Sequence, residues 1–208
     1  MKKNTYFIPI VLFFLTSLTF SCKKDDSGGK QEVNSGFTMK INGEPWGAYL
    51  TTLLTEEHDD STYGKYYYVM ISGTWARGDD DDDAAAEAMG LYVLIPADKF
   101  RIPKGIYTIR QQELGKAWAL FSTSTDIRDA TTHASVDPGN SGRDLGTLEI
   151  TNFEIGTQSV LGQSTGTEGY TRLSGKFQVE LFPVEDHAGK LNITEGKFDL
   201  TSGMGFNF

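Results

Sequence analysis

From Thr171 to Phe182 the chain alternates strictly, with Leu173, Gly175, Phe177, Val179 and Leu181 on one face and Ser174, Lys176, Gln178 and Glu180 on the other. A period of two is that of a strand with one face buried. Pro183 to Gly189 turns the chain, and Leu191, Ile193, Phe198 and Leu200 form a returning strand, with Glu195-Gly196 read as a bulge that restores the inward face. Nearer the start, Phe37-Thr38-Met39-Lys40-Ile41 alternates, Asn42-Gly43 supplies the positive φ angles of a type I′ turn, and a second run begins near Trp46. Further strands are expected at Trp46 to Leu54, Lys65 to Trp75, Gly90 to Ile95, Gly105 to Arg110, Ala117 to Ser122 and Gly146 to Phe153. About nine strands with short polar connections predict an all-β fold, a single antiparallel sandwich or barrel-like domain. Ile41, Trp46, Val69, Ile71, Ile150, Phe177, Val179, Leu181 and Phe198 hold the apolar parity of their strands and are expected to share its interior. Only Asp83 to Met89, Ala-rich with acidic residues at its start, reads as helix.

The alternation is absent from the N-terminal segment. Lys2 and Lys3 precede the apolar stretch Tyr6 to Phe20, which is shorter than the roughly 20 residues of a membrane-spanning helix and carries the order of a secretory signal peptide. Cleavage after Ser21 leaves Cys22, the only cysteine, as the mature N-terminus. A lone cysteine forms no intrachain disulfide and no Cys-rich zinc site, and in an oxidising compartment it is a liability that lipidation removes. The chain thus divides into a signal peptide over 1–21, a lipid-anchored flexible tether over 22–35, polar and Gly/Ser-containing, and a β-rich domain over 36–208.

Charge narrows the partners. The leader holds two lysines and no acid, so the remainder carries 17 basic against 28 acidic residues, a net charge of −11. Such a surface is repelled by phosphate backbones and anionic head groups, which argues against nucleic acid and leaves membrane contact to the Cys22 lipid.

The densest aromatic group is Tyr63, Tyr66, Tyr67, Tyr68 and Trp75. Period-two geometry sends Tyr67, Val69, Ile71, Gly73 and Trp75 to the core face and Tyr66, Tyr68, Met70, Ser72 and Thr74 to the other. Tyr66 and Tyr68 are therefore expected outside the core, where exposed rings stack on sugars or on a partner. A second candidate is the segment Asp126 to Asp144, which lacks a strand pattern and ends in a turn with oxygen ligands at Asp137, Asn140 and Asp144; long irregular loops on rigid β scaffolds commonly carry binding. Asp79 to Asp83 places five carboxylates in a row. Consecutive aspartates cannot all converge on one ion, so the run reads as a solvated loop, with Asp79, Asp80 and Asp83 the calcium candidates within it. No cofactor is expected, and no resident metal. His58, His133 and His187 are read in separate loops, and the chain has neither HExxH nor GxSxG, so a non-catalytic protein is expected.

Three resemblances add location. Leu18-Thr19-Phe20-Ser21-Cys22 resembles the lipobox of bacterial lipoproteins, which implies acylation of Cys22. Lys24-Asp25-Asp26 resembles the lysine-plus-acidic signal that sends lipoproteins of Bacteroidota to the outer face of the outer membrane. The pattern Phe37-x-x-x-Ile41-Asn42-Gly43-x-x-Trp46, followed by Gly105-Ile-Tyr107, Gly146-Thr-Leu148, Leu173-Ser-Gly175-Lys-Phe177 and Gly196-Lys-Phe198, resembles a family of small Bacteroidota surface lipoproteins known as a domain of unknown function. It implies a lipid-anchored β domain on the cell exterior and carries no catalytic set. Two classes of function follow. One is a binding module for a glycan or small ligand; the other is a structural or protein-interaction domain of the cell envelope.

Overall fold

The computed structural model describes residues 36–77, 85–124, 130–140, 142–160, 163–184 and 189–206. Cys22, Lys24, Asp25, Asp26, Asp79, Asp80, Asp83, Asp126 and His187 lie outside these residues. Twelve strands run in chain order: β1 (Phe37–Ile41), β2 (Glu44–Gly47), β3 (Leu50–Asp60), β4 (Gly64–Arg77), β5 (Ala85–Pro96), β6 (Gly105–Ile109), β7 (Ala117–Ser124), β8 (Ala130–Ala134), β9 (Gly146–Val160), β10 (Gln163–Pro183), β11 (Leu191–Thr201) and β12 (Gly203–Phe206). The only helical element among the described residues is a single 3-10 turn, Ala97–Lys99. The strands form one sheet in the order β12-β3-β4-β5-β7-β6-β9-β10-β11-β1-β2, with β8 bridging β7 and β10.

This sheet folds over one interior in a sandwich or barrel-like arrangement. Its first wing is β12-β3-β4-β5-β7 and its second is β6-β9-β10-β11-β1-β2. Core residues come from both: Leu53, Val69, Ile71, Leu91 and Val93 from the first, Phe37, Leu148, Ile150, Phe177, Leu181, Ile193 and Phe198 from the second. The wings meet through the edge-on contact of Trp46 with Phe121 at 6.4 Å, and Trp46 is itself backed by Phe37, which packs on Phe177 at 5.4 Å within the second wing. They are also joined by a side chain that replaces a strand. β12 pairs β3 as far as Leu53, and beyond it Gln158 accepts from the Thr55 amide at 2.8 Å and donates to the Thr55 carbonyl at 2.7 Å. Both backbone groups would otherwise be buried without partners, a cost of about 1–3 kcal/mol each.

The expected interior set all belongs to this core, Ile41 and Trp46 at its half-buried margin. The Asn42-Gly43 hairpin has φ of 51° and 92°, as a type I′ turn requires. In β11 Glu195 stands at φ 53°, and the register moves from Phe177 opposite Gly196 to Val179 opposite Ile193, which is the bulge expected at Glu195-Gly196. Gly175 faces Phe198 and Gly196 faces Phe177, so each glycine leaves the space that a partner's ring fills.

Four expectations are corrected. Among the described residues the strands number twelve, because the run from Trp46 to Leu54 breaks between β2 and β3, the Asp126 to Asp144 segment contains β8, and Gly203 to Phe206 adds β12 against β3. The sheet is mixed, since β6 and β7 pair in parallel at Ile109 and Ala117. Ala85 to Met89, read as helix, is the first half of β5, where pairing with β4 on one side and β7 on the other overrides the helical preference of alanine. His58 and His133, read in loops, lie on β3 and β8.

Candidate functional site

The first wing carries an apolar cluster on each of its two faces. On its outside, register brings Leu54 opposite Met70, Met70 opposite Tyr92 and Tyr92 opposite Trp118, a row that crosses four strands. One step toward the β3–β4 turn lies a second row of Glu56, Tyr68 and Leu94; a third holds His58, Tyr66 and Pro96. These residues form an apolar cluster separate from the core, built on Tyr66, Met70, Tyr92, Leu94 and Trp118, with Leu54, Tyr63, Tyr68, Leu114 and Leu120 packed against it.

The cluster is held by ring geometry. Tyr92 and Trp118 stack at 5.1 Å and 17°, and Tyr68 leans on both, at 5.8 Å and 5.6 Å. Tyr63 meets Tyr66 edge-on at 5.9 Å, and the His58 imidazole lies flat on Tyr66 at 5.3 Å and 12°. Tyr92 is wholly buried, its ring lying over Gly90, and its hydroxyl has no hydrogen-bond partner. Burial pushes the Tyr68 and Tyr92 phenols far above the ordinary value, so both stay neutral throughout the physiological range.

The expectation that Tyr66 and Tyr68 stand outside the core is correct as to the main core and wrong as to exposure. Tyr66 is 9% exposed and Tyr68 half-buried, because neighbouring rings cover them. The cluster's accessible rim at the β3–β4 turn consists of half-buried Tyr63 and Tyr68 and exposed His58. Asp60 closes that turn by accepting from the Thr62 and Tyr63 amides, each at 2.8 Å. Those bonds, the Tyr63 amide first, hold its carboxyl below the usual range, while Tyr66 is pushed up first by burial and then by Asp60. His58 Nε2 stands 3.4 Å from Glu56 Oε2.

The second expected site is far more self-contained. Asp137 Oδ1 accepts from the Gly139 amide at 2.8 Å and Asn140 Oδ1 from the Gly142 amide at 3.3 Å, so both serve their own turns. Arg143 then joins Asp137 at 3.3 Å to Glu180 at 3.0 Å, and Glu180 also takes Lys190 at 3.1 Å. The Gly139 amide and Arg143 together lower the Asp137 carboxyl. Asp144 stands 3.6 Å from Arg110 and lines an open groove of about 350 Å³ with Arg143, Gln178, Glu180, Asn192 and Thr194. Asp137, Asn140 and Asp144 thus lie in one segment, though Asp137 and Asn140 serve its own amides and Asp144 faces Arg110, so their oxygens are not gathered on one point. The turn is linked toward the aromatic side through Arg110, which pairs Asp144 and, at 2.7 Å, Glu113, the neighbour of Leu114.

Of the remaining candidates, His133 is buried on β8 with its Nε2 3.0 Å from the Gly189 carbonyl oxygen and its Nδ1 without a partner. Tyr92 and Trp118 were not anticipated as parts of an outer cluster. Their signal is present in the sequence: Leu91 to Ile95 is apolar without alternation, and such a run belongs to a strand covered on both faces. No group of three or more His, Cys, Asp or Glu residues able to hold a metal ion occurs among the described residues. No family model matches the chain, and neither a curated protein nor a solved structure matches it.

Proposed function

We propose that this chain is a lipid-anchored protein of the outer membrane, held through Cys22 and exported by the Lys24-Asp25-Asp26 signal, whose β domain binds a glycan at the cell surface without chemistry. The family resemblance of the Phe37 to Trp46 pattern is part of the same proposal. The observation that carries the binding reading is the aromatic layer on the outside of the first wing. A one-core domain requires no second apolar face, and an antiparallel sheet commonly turns its outer side to water. Here that side ends in a rim of Tyr63, Tyr68 and His58 edged by Glu56 and Asp60. Ring faces give apolar contact to the C–H face of a sugar, and carboxylates beside them accept from its hydroxyls.

Every core residue named above lies between Phe37 and Leu200, so a chain beginning at Gly36 contains the whole described core. Such a domain is expected to select oligosaccharides on a glycan array, and Tyr63→Ala with Tyr68→Ala is expected to abolish the signal. Absence of any glycan signal returns the face to the protein-interaction reading, and a signal that survives the double substitution moves the site elsewhere. Cell fractionation of Cys22→Ser tests the anchor, with release from the membrane fraction expected. Alanines at Lys24, Asp25 and Asp26 are expected to remove protease access on intact cells while leaving acylation unchanged.

A further inference from the structure

Resting on that reading, we infer that the glycan carries protonated amines: the corner at the β3–β4 turn is built for a cationic amino sugar. Four carboxylates occupy the exposed end of β3: alternation puts Glu56 and Asp60 on the aromatic face beside His58, and Glu57 and Asp59 on the other face beside Lys65. Lys65 is taken by Glu57 at 3.3 Å, and among the described residues neither Asp59 nor Asp60 is ion-paired. The corner therefore carries an excess of negative charge that its own side chains leave uncompensated. A neutral sugar gains nothing from this excess, and an acidic one is repelled by it.

His58 shows how the corner holds a nitrogen group. Its ring rests on the face of Tyr66, meets Tyr68 edge-on at 6.0 Å, and sets Nε2 3.4 Å from Glu56. A ligand ammonium that takes the place of the exposed His58 ring makes the same pair of contacts, the attraction of a cation to an aromatic ring and a charge-assisted bond to Glu56. On the opposite wing the clustered carboxylates are already paired: Glu195 is taken by Lys40 at 2.7 Å, Asp199 by Arg172 at 2.7 Å and Glu180 by Arg143 and Lys190.

The test compares a hexamer of glucosamine with a hexamer of N-acetylglucosamine, the same ring with and without the charge, by calorimetry on the chain from Gly36 at mildly acidic pH. The amine form is expected to bind about tenfold more tightly, equivalent to about 1.4 kcal/mol. That advantage is expected to disappear in Glu56→Gln and to shrink between about 20 mM and about 0.5 M salt, as screening requires. Equal affinity for the two hexamers, or preference for the acetylated one, overturns the inference and leaves the glycan reading standing. An advantage unchanged in a folded Glu56→Gln domain overturns it as well. Binding of neither hexamer overturns the inference and leaves the glycan reading to the array.

Discussion

The two outer faces of this sheet follow the same period of two and reach opposite solutions. On β9, β10 and β11 the outward positions are polar or charged, and several are matched: Arg172 holds Asp199 through two bonds of 2.9 and 2.7 Å, Ser174 adds a third at 2.7 Å, and Lys40 of β1 meets Glu195. On β3, β4, β5 and β7 the outward positions toward the β3–β4 turn are mostly aromatic and aliphatic, with charge at the end of β3, and give way to Thr52, Ser72, Thr74 and Ser122 farther along. A face of matched ion pairs is satisfied by itself and by water. An aromatic layer with uncompensated carboxylates at its rim has interaction capacity left over, which is why the binding reading is placed there.

The largest expected effect that sharpens this contrast is in stability. Trp118, 7% exposed and stacked on Tyr92, supports a layer of rings; Trp118→Ala is expected to cost about 3–5 kcal/mol. That is the cost expected of Phe177→Ala in the main core, whereas Lys176→Ala on the charged face is expected to change stability by less than about 0.5 kcal/mol. Urea denaturation of the three variants decides it, and a Trp118 effect as small as that of Lys176 would remove the layer from the structural account.

Next in size is a pair of hydroxyl deletions. Tyr170 donates to the Phe100 carbonyl at 2.6 Å within the core, so Tyr170→Phe leaves a buried acceptor unsatisfied and is expected to cost about 1–2 kcal/mol. The Tyr92 hydroxyl, buried in the outer layer without a partner, is expected to be lost without cost or with a gain of up to about 1 kcal/mol. Thermal unfolding of the two variants is the check, and equal losses would contradict the environments assigned to the two phenols.

The smallest effect belongs to the charged face. Its Asp199 carboxyl is brought down to about 2, first by Arg172 and then by Ser174. Because this lies below the unfolded value of about 3.9, the stabilisation is present above roughly pH 4 and is lost as pH falls through about 2. The pair is half exposed, so Asp199→Asn is expected to cost at most about 1 kcal/mol at neutral pH. The difference from the parent should close toward pH 2 in a series of melting curves.

Legibility in the sequence divides along the same line. The second wing is written in clean alternation, and its hairpin turn, bulge and inward set were all recoverable because each residue there answers to one neighbouring face. The first wing is not, because Leu91 to Ile95 is apolar at every position and parity alone cannot say what covers its second side. Tyr66 and Tyr68 were placed on the right face, but their burial depends on Tyr92 and Trp118, residues distant in sequence that register brings alongside. Ala85 to Met89 was misread because pairing on both edges of β5 outweighs local propensity. In the turn of Asp137, Asn140 and Asp144 the oxygens are consumed by backbone amides and arginines, a balance that composition does not reveal.

The most direct measurement is a backbone and side-chain NMR titration of the Gly36-initiated domain with a glucosamine oligomer. Shifts are expected at His58, Tyr63, Tyr66 and Tyr68 and through the ring stack to Trp118, with Lys176, Arg172 and Asp199 unmoved. Shifts confined to the groove of Arg143, Asp144, Asn192 and Thr194, or spread over the ion-paired face with the aromatic layer silent, would contradict the account.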